Sequence, residues 1–521
     1  MTRFTRLART LAHLLSIAAL GCSASSSTAA EATPRNGSVG VGQGGAQDIA
    51  EFRSIVAAGA VPAPSTLDPV GFFAEHALAL PPADCGDTVC AQAALAVARR
   101  FEGTAWTMAF IALNSSVDPS TLSRPPVHTA IVVEHTTRMA SIAPAIFDAI
   151  HHFVVGLRPG DRVSVIEVGR DVHTLVTAVA PDDATLAAAA TTLSMPGTAT
   201  GAATYDGLAL AGDLLADPSW TGHRHVLMLT SGSADAGLAS ADRVVALATS
   251  MLASGATISI VGAGDPYADA LPIAIGELGG GAYYFAQSRA DLTQVLDLEG
   301  RTSLFPIARD FTMRVTPATG YSIGRTYGAA RAQSTSTEAT LGSPVLLLGQ
   351  RTGPSDLDHG RRGGGGGFFV ELLADPAASG GPGAPAFVVE TSYVDTASGA
   401  TVTRSVSVTN PLAVGAVPTG NLPEFSNMTL GKAFMMLNMY LTLRTATTFF
   451  ADGDCARAMG TIDMMEQTIE WWQGSPLADP DVQADWHLVG SLRDVLGNQC
   501  TVMGGITPVA PRGFGGGCFL D

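Results

Sequence analysis

The residues best placed to do chemistry stand in one short run, Glu134-His135-Thr136-Thr137-Arg138. It follows the apolar stretch Ala130-Ile131-Val132-Val133, which suits a buried parallel strand. Polar side chains at the carboxyl end of such a strand stand where an open α/β sheet places a binding site. A second polar run, Thr230-Ser231-Gly232-Ser233, closes the stretch His225-Val226-Leu227-Met228-Leu229. It lacks the Gly-x-Ser-x-Gly elbow of a hydrolase, and no partnered histidine is indicated. No P-loop and no Gly-x-Gly-x-x-Gly fingerprint follows a strand. His223 and His225 share one face of an extended segment, but two histidines do not make a zinc site. His151 and His152 are adjacent on a helix and point differently, as surface or helix-end histidines do. Asp452 and Asp454 fall in a turn between helices, where solvation is their role.

The elements that must position these side chains alternate. A strand over 127–133 leads to a helix through about residue 153. The turn Leu157-Arg158-Pro159-Gly160-Asp161 opens a strand over 162–168. A polar stretch and a Gly/Thr-rich loop over 197–204 precede a helix over about 205–215. Strand 225–229, an alanine-rich helix over 241–253, the stop at Gly255 and strand 257–261 complete the pattern. Strand-helix alternation with short connections predicts an α/β fold, a doubly wound, Rossmann-like sheet.

Five stretches in this order resemble the von Willebrand factor type A (vWA) domain. They are Glu134 to Arg138, Leu157 to Val165, Ala202 to Thr204, Thr230 to Gly232, and Gly262-Ala263-Gly264. The later Leu278-Gly279-Gly280-Gly281-Ala282-Tyr283-Tyr284-Phe285 also resembles the end of that domain. The resemblance implies a cation held at the sheet edge by two Asp, two Ser and one Thr. Those positions fall here on Glu134, Thr136, Arg138, Thr204 and Ser231. Mg²⁺ or Mn²⁺ wants oxygen ligands and negative charge to offset its own. Ser231 has lost the charge and Arg138 supplies a permanent cation. The expectation is a degenerate adhesion site with no functional metal; Glu134, Thr136 and Thr204 would be the ligands of any residual ion. Arg138 is expected to pair with Glu134 as a built-in substitute for the metal. Asp206, Asp235 and Asp265 nearby are read as helix caps or loop residues.

The rest of the chain frames that domain. Arg3, Arg6 and Arg9 precede an apolar run over 11–20, too short to span a membrane and flanked like a signal peptide. Ala19-Leu20-Gly21-Cys22 resembles a bacterial lipoprotein box, with Cys22 lipidated; the alternative is ordinary cleavage near Ala30. This gives a signal peptide over 1–21 and a flexible Ser/Ala/Gly-rich tether over 22–46. Phe52-Arg53, Gly59 to Pro64 and Val70-Gly71-Phe72-Phe73 resemble the N-terminal segment of envelope lipoproteins in which a vWA domain carries flanking domains. Residues 47–126 are expected to add strands to a flanking domain, 127–300 to form the vWA-like domain, and 301–412 a β-sandwich. Gly363 to Gly367 is read as too flexible for an element interior. A helical bundle over 425–505 and a Gly-rich tail over 506–521 follow. Met435, Met436, Met439, Met459, Met464 and Met465 are read as core.

Cysteine usage fits an oxidising compartment: Cys85 could pair with Cys90 and Cys455 with Cys500, leaving Cys518 odd. A net charge of −17 and a single lysine, Lys432, exclude a phosphate-binding surface and hence nucleic acid. These readings together imply a non-enzymatic scaffold or binding lipoprotein of the bacterial cell envelope. It would be lipid-anchored to a membrane, exposed to the periplasm or exterior, and would hold a protein partner. A cation-dependent adhesin and an accessory subunit of an envelope enzyme or chaperone complex are the rival readings.

Overall fold

A computed structural model describes residues 39–102, 105–119, 121–235, 240–329, 331–349, 361–416, 428–471 and 479–502. Residues 1–38, expected to hold the signal segment, Cys22 and most of the tether, lie outside the described residues, as do Cys518 and the Gly-rich stretch 506–521. Among those described, no helix is long and apolar enough to cross a membrane.

The strand Val127–Glu134 is buried along its whole length, as its unbroken apolar run requires. Parallel neighbours flank it, Arg162–Val168 on one side and His223–Thr230 on the other. The sheet extends through Thr257–Ala263 and Ala282–Ala286 to the short Gly45–Ala46, all parallel; at its other edge Val172–Val179 runs antiparallel. Helices cover both faces. Ile131 and Val133 pack with Ile150 and Phe153 of helix Ile146–Val155 and with Leu292 of Arg289–Leu298. Ala130 and Val132 face the other way, toward Leu208 of Thr204–Leu215 and Val244 of Ala241–Ala253. This is the doubly wound sheet that the alternation predicts.

The flanking strands form one hydrogen-bonded sheet, ten-stranded among the described residues. Its path runs Tyr321–Tyr327, Phe368–Ala374, Ala105–Ser115, Val39–Gln43, Ala339–Leu348, Ala308–Pro317, Pro385–Asp395, Thr401–Thr409. Cys90–Arg99 pairs beside Ala105–Ser115 and also lies against Thr401–Thr409, so the sheet bends round a common core as the two layers of a sandwich do.

The described part of the stretch expected to be tether, residues 39–46, is built into the two sheets. Val39–Gln43 is a strand between Leu346–Leu348 and Leu113–Ser115, and Gly45–Ala46 then joins the edge of the other sheet. Its glycines serve close approach rather than flexibility. A Cβ on Gly40 would lie 2.6 Å from the Gly364 carbonyl oxygen, and one on Gly44 would lie 2.3 Å from that of Gly279. The Gly363 to Gly367 run is likewise packed, against Gly40, Phe73 and His76. Two backbones meet there with no room for side chains.

The C-terminal helices Met428–Ala451, Cys455–Trp471 and Pro480–Val502 do not close a core of their own. Met435, Met436, Met439 and Met465 are fully buried in a cluster shared with Phe52, Phe72 and Phe73 of the N-terminal segment and with Trp106 and Phe369 of the flanking sheet. Met459 and Met464 pack against it half-buried. Disulfides join Cys85 to Cys90 and Cys455 to Cys500.

Buried charges tie these layers together. Arg53 donates to Glu75 at 2.8 Å and to Asp485 at 3.1 Å, and His76 Nε2 meets Asp485 at 2.7 Å. Arg362 bridges Asp48 and Asp291 at 2.6 and 3.2 Å, joining the N-terminal segment to the last helix of the central domain.

Candidate functional site

The chain leaves Val127–Glu134 through Arg162–Val168 to Val172–Val179, then returns to lay His223–Thr230 on the opposite side. The reversal opens a crevice between the carboxyl ends of Val127–Glu134 and His223–Thr230. Glu134 and Ser231 meet in it. The turn after Thr230 needs glycine: Gly232 has φ +79°, and a Cβ there would sit 1.7 Å from the Ala268 carbonyl oxygen. Across the crevice, Thr137 N donates to the Ala199 carbonyl at 2.8 Å, holding the loop that delivers Thr204.

Glu134 organises the site. Its Oε1 accepts from Thr136 Oγ1 at 2.6 Å and from Ser231 Oγ at 2.7 Å. Its Oε2 accepts from Thr230 Oγ1 at 2.9 Å and from the Ser231 amide at 2.7 Å. A carboxylate offers about four acceptor positions, and all four are used. Thr204 Oγ1 donates to the Ser233 carbonyl at 2.5 Å. Glu134, Thr136, Thr204 and Ser231 are all buried.

Arg138 is not part of this cluster. It does not pair with Glu134; it reaches Asp235 at 3.0 Å and is 30% exposed. The hydroxyls and the amide already satisfy Glu134, so nothing draws the guanidinium inward. Asp235 also accepts from Ala202 N at 3.1 Å, which makes it a loop-fixing residue. Burial opposes its charge, but hydrogen bonds from Ser233 and Ala202 and the nearby Arg138 hold its pKa below the usual range. Asp206 lies in the first turn of Thr204–Leu215, and the Asp265 amide donates to the Arg138 carbonyl at 2.8 Å.

The donor set does not fit a divalent cation. It holds one carboxylate, both oxygens of which are saturated by O–H and N–H donors. Two opposed charges sit outside it as the Arg138–Asp235 pair. Mg²⁺ is held through one or two carboxylates with oxygen lone pairs to give, and those of Glu134 are taken. Of the positions named from sequence, Thr136 and Ser231 contact Glu134, Thr204 bonds Ser233 and Arg138 bonds Asp235; two further residues take part that the sequence reading does not single out. Thr230 is one. The other is His135, whose Nδ1 contacts the Glu167 carboxylate and whose Nε2 donates to the Met195 carbonyl at 2.7 Å. His135 stands in the key run, but only its partners reveal that it pins the turn.

His223 and His225 lie at the opposite end of the same sheet. Arg309 donates to His223 Nδ1 at 2.9 Å, so the neutral ring carries its proton on Nε2 and donates to Thr257 Oγ1 at 2.8 Å. The Thr257 hydroxyl then donates to His225 Nδ1 at 2.8 Å, which leaves the His225 proton on Nε2, 3.4 Å from Glu299. The two rings therefore bridge the central sheet to Arg309 of the flanking sheet.

These ionisations set a pH profile. Burial pushes His223 well below the usual value of 6.5, and pushes His128 down to about 4. Burial, with Asp269 and Asp48 adding, raises Glu51 to about 8. Burial would lower His76, but Asp485 outweighs it and raises the pKa. Above 6.5 the folded chain retains protons on Glu51 and His76 that the unfolded chain releases. Stability should therefore fall by about 1–2 kcal/mol between pH 6.5 and pH 8. Urea unfolding across that range checks it; a profile still rising at pH 8 contradicts it.

No family model and no curated protein matches the sequence. Among solved structures the chain is similar to a von Willebrand factor type A protein from Catenulispora acidiphila. The identity is 14% and the TM-score 0.47, over 74% of this chain and 88% of that one. It is also similar to the ArnB paralog VWA2 from Sulfolobus acidocaldarius, at 12% and TM-score 0.39, over 79% and 98%. A third is the pilus adhesin SpaC from Lactobacillus rhamnosus GG, at 12% and TM-score 0.31, over 64% and 49%. Identities this low carry nothing about what the chain binds.

Proposed function

We propose that the chain is a non-enzymatic, envelope-anchored lipoprotein that holds a protein partner through a vWA-like domain whose adhesion site has lost its metal. One observation carries the reading: the Glu134 carboxylate is saturated by Thr136, Thr230 and Ser231. One methylene longer than aspartate, its carboxylate reaches the hydroxyls directly and takes them as its own donors. Partner recognition on this face then proceeds without divalent ions.

Calorimetric titration with Mg²⁺ and Mn²⁺ tests this on the chain lacking its first 38 residues. The unmodified protein should give no binding heat. A Glu134→Asp/Arg138→Ser/Ser231→Asp variant draws back one carboxylate, adds a second and removes the cation; it should bind with Kd of about 0.1–1 mM. Binding by the unmodified protein would overturn the reading in favour of a cation-dependent adhesin. Anchoring rests on Arg3, Arg6, Arg9 and the Cys22 box. Palmitate labelling in a bacterial host should be present in the full chain and lost in Cys22→Ala; equal labelling of both would remove the lipoprotein claim.

A further inference from the structure

Phe147, His151 and Val155 follow one another at four-residue spacing on helix Ile146–Val155, so they form a single ridge. Phe147 is 38% and Val155 66% exposed. The facing helix, Ala184–Leu193, presents Ala184 and Ala187 instead of large side chains. A ridge beside an alanine floor leaves a groove of about 430 Å³, closed below by Ile150, Leu186 and Ala190. Of the four exposed large apolar side chains among the described residues, three (Phe147, Val155 and Met195) lie on these helices or in the turn after them. The apolar exposure is thus concentrated on this layer. An apolar groove between two helices can seat the apolar face of a third.

The charge at the groove selects its occupant. Asp182 and Asp183 line it at the amino end of the alanine wall. The Asp183 carboxylate caps that helix by accepting from Thr185 N at 2.8 Å, which offsets the helix's own positive end. Asp182 is exposed and adds a second negative charge. Val154 and Val155, at the carboxyl end of the other helix, bring the negative end of a helix dipole to the same groove. An apolar groove with a cation-favouring end fits an amphipathic helix that seats leucine- or phenylalanine-type anchors and carries arginine or lysine at one end.

We infer that the groove between Ile146–Val155 and Ala184–Leu193 docks a basic-ended amphipathic helix of a partner protein. The site stands on the helical layer, apart from the Glu134 crevice, and does not depend on how that crevice is read.

The probe is a synthetic amphipathic helix with leucines at helical spacing and paired arginines in its first turn. A glutamate-ended counterpart is the control. The arginine peptide should bind the protein with Kd in the range of about 1–100 µM, read by fluorescence anisotropy. Ala187→Trp, at an exposed position, fills the groove and should weaken binding about tenfold or more. Asp182→Lys should reverse the preference between the two peptides without affecting the fold. Equal binding by Ala187→Trp, or equal affinity for the two peptides, would overturn the proposal. So would concentration-dependent dimerisation in sedimentation that Ala187→Trp abolishes without any peptide binding, since a second copy would then be the occupant.

Discussion

Asp485→Ala is expected to destabilise the protein by about 3–5 kcal/mol, because it strands buried cations rather than removing a contact. Asp485 lies on helix Pro480–Val502, while both its partners, Arg53 and His76, belong to the N-terminal segment. The His76 ring has an acceptor at each nitrogen, the Phe72 carbonyl at 2.7 Å and Asp485 at 2.7 Å. A ring so placed donates from both sides and is an imidazolium. Burial opposes the Arg53 charge as well, and Glu75 and Asp485 outweigh it, holding the guanidinium above its usual range. The quartet Arg53, Glu75, His76 and Asp485 is neutral as a whole; without Asp485 it carries a net charge in a fully buried place.

The measurement is urea unfolding at pH 6 and at pH 8. The cost of Asp485→Ala should be smaller at pH 8, since His76 can then shed its proton. Replacing the charges together, as Arg53→Met/His76→Phe/Asp485→Leu with Glu75→Gln, should cost far less than Asp485→Ala alone, because no unpaired charge remains. A loss below about 1 kcal/mol for Asp485→Ala would mean that water reaches the quartet and that burial is not what makes it costly.

The quartet also shows where the sequence stops being legible. The central strands are readable because each carries a mostly apolar stretch, bounded by turn signals, whose burial needs no particular neighbour. Val39–Gln43 is not readable, because its strand character depends on Leu346–Leu348 and Leu113–Ser115, far along the chain. Its glycines look like a tether until the backbone opposite them is known. Val172–Val179 hides for a different reason: it is a half-exposed edge strand whose irregular register against Arg162–Val168 breaks the two-residue alternation. The Arg53–Asp485 pairing spans almost the whole chain and no local pattern signals it.

The same distinction applies at the crevice. Which strand ends meet there follows from strand order, and Glu134 and Ser231, at the ends of neighbouring strands, do meet. Which side chains touch depends on their length, and there a charge count points the wrong way. It pairs Arg138 with Glu134, whereas one glutamate of full reach satisfies itself on hydroxyls and leaves Arg138 to Asp235.

Two substitutions at Glu134 separate what its charge does from what its shape does. Glu134→Ala leaves the hydroxyls of Thr136, Thr230 and Ser231 and the Ser231 amide without their acceptor, all in a buried place. The hydroxyls can turn toward other acceptors, but the amide cannot. At about 1–3 kcal/mol for each donor left unmet, and with partial relief by rotation, the expected loss is about 3–5 kcal/mol. Glu134→Gln keeps the length and one acceptor. Its carbonyl can take the place of Oε2 against the Ser231 amide and Thr230, while its NH₂ donates to Thr136 and Ser231 hydroxyls, which accept as readily as they donate. The loss should then be only about 1 kcal/mol. Chemical denaturation of both variants gives the comparison. Near-equal, large losses would show that the negative charge itself is indispensable, as it would be beside a cation, and the metal-free reading of the crevice would fall with it. A mild Gln and a severe Ala would show a carboxylate retained as the hub of a hydrogen-bonded plug, holding the carboxyl ends of Val127–Glu134 and His223–Thr230 in register.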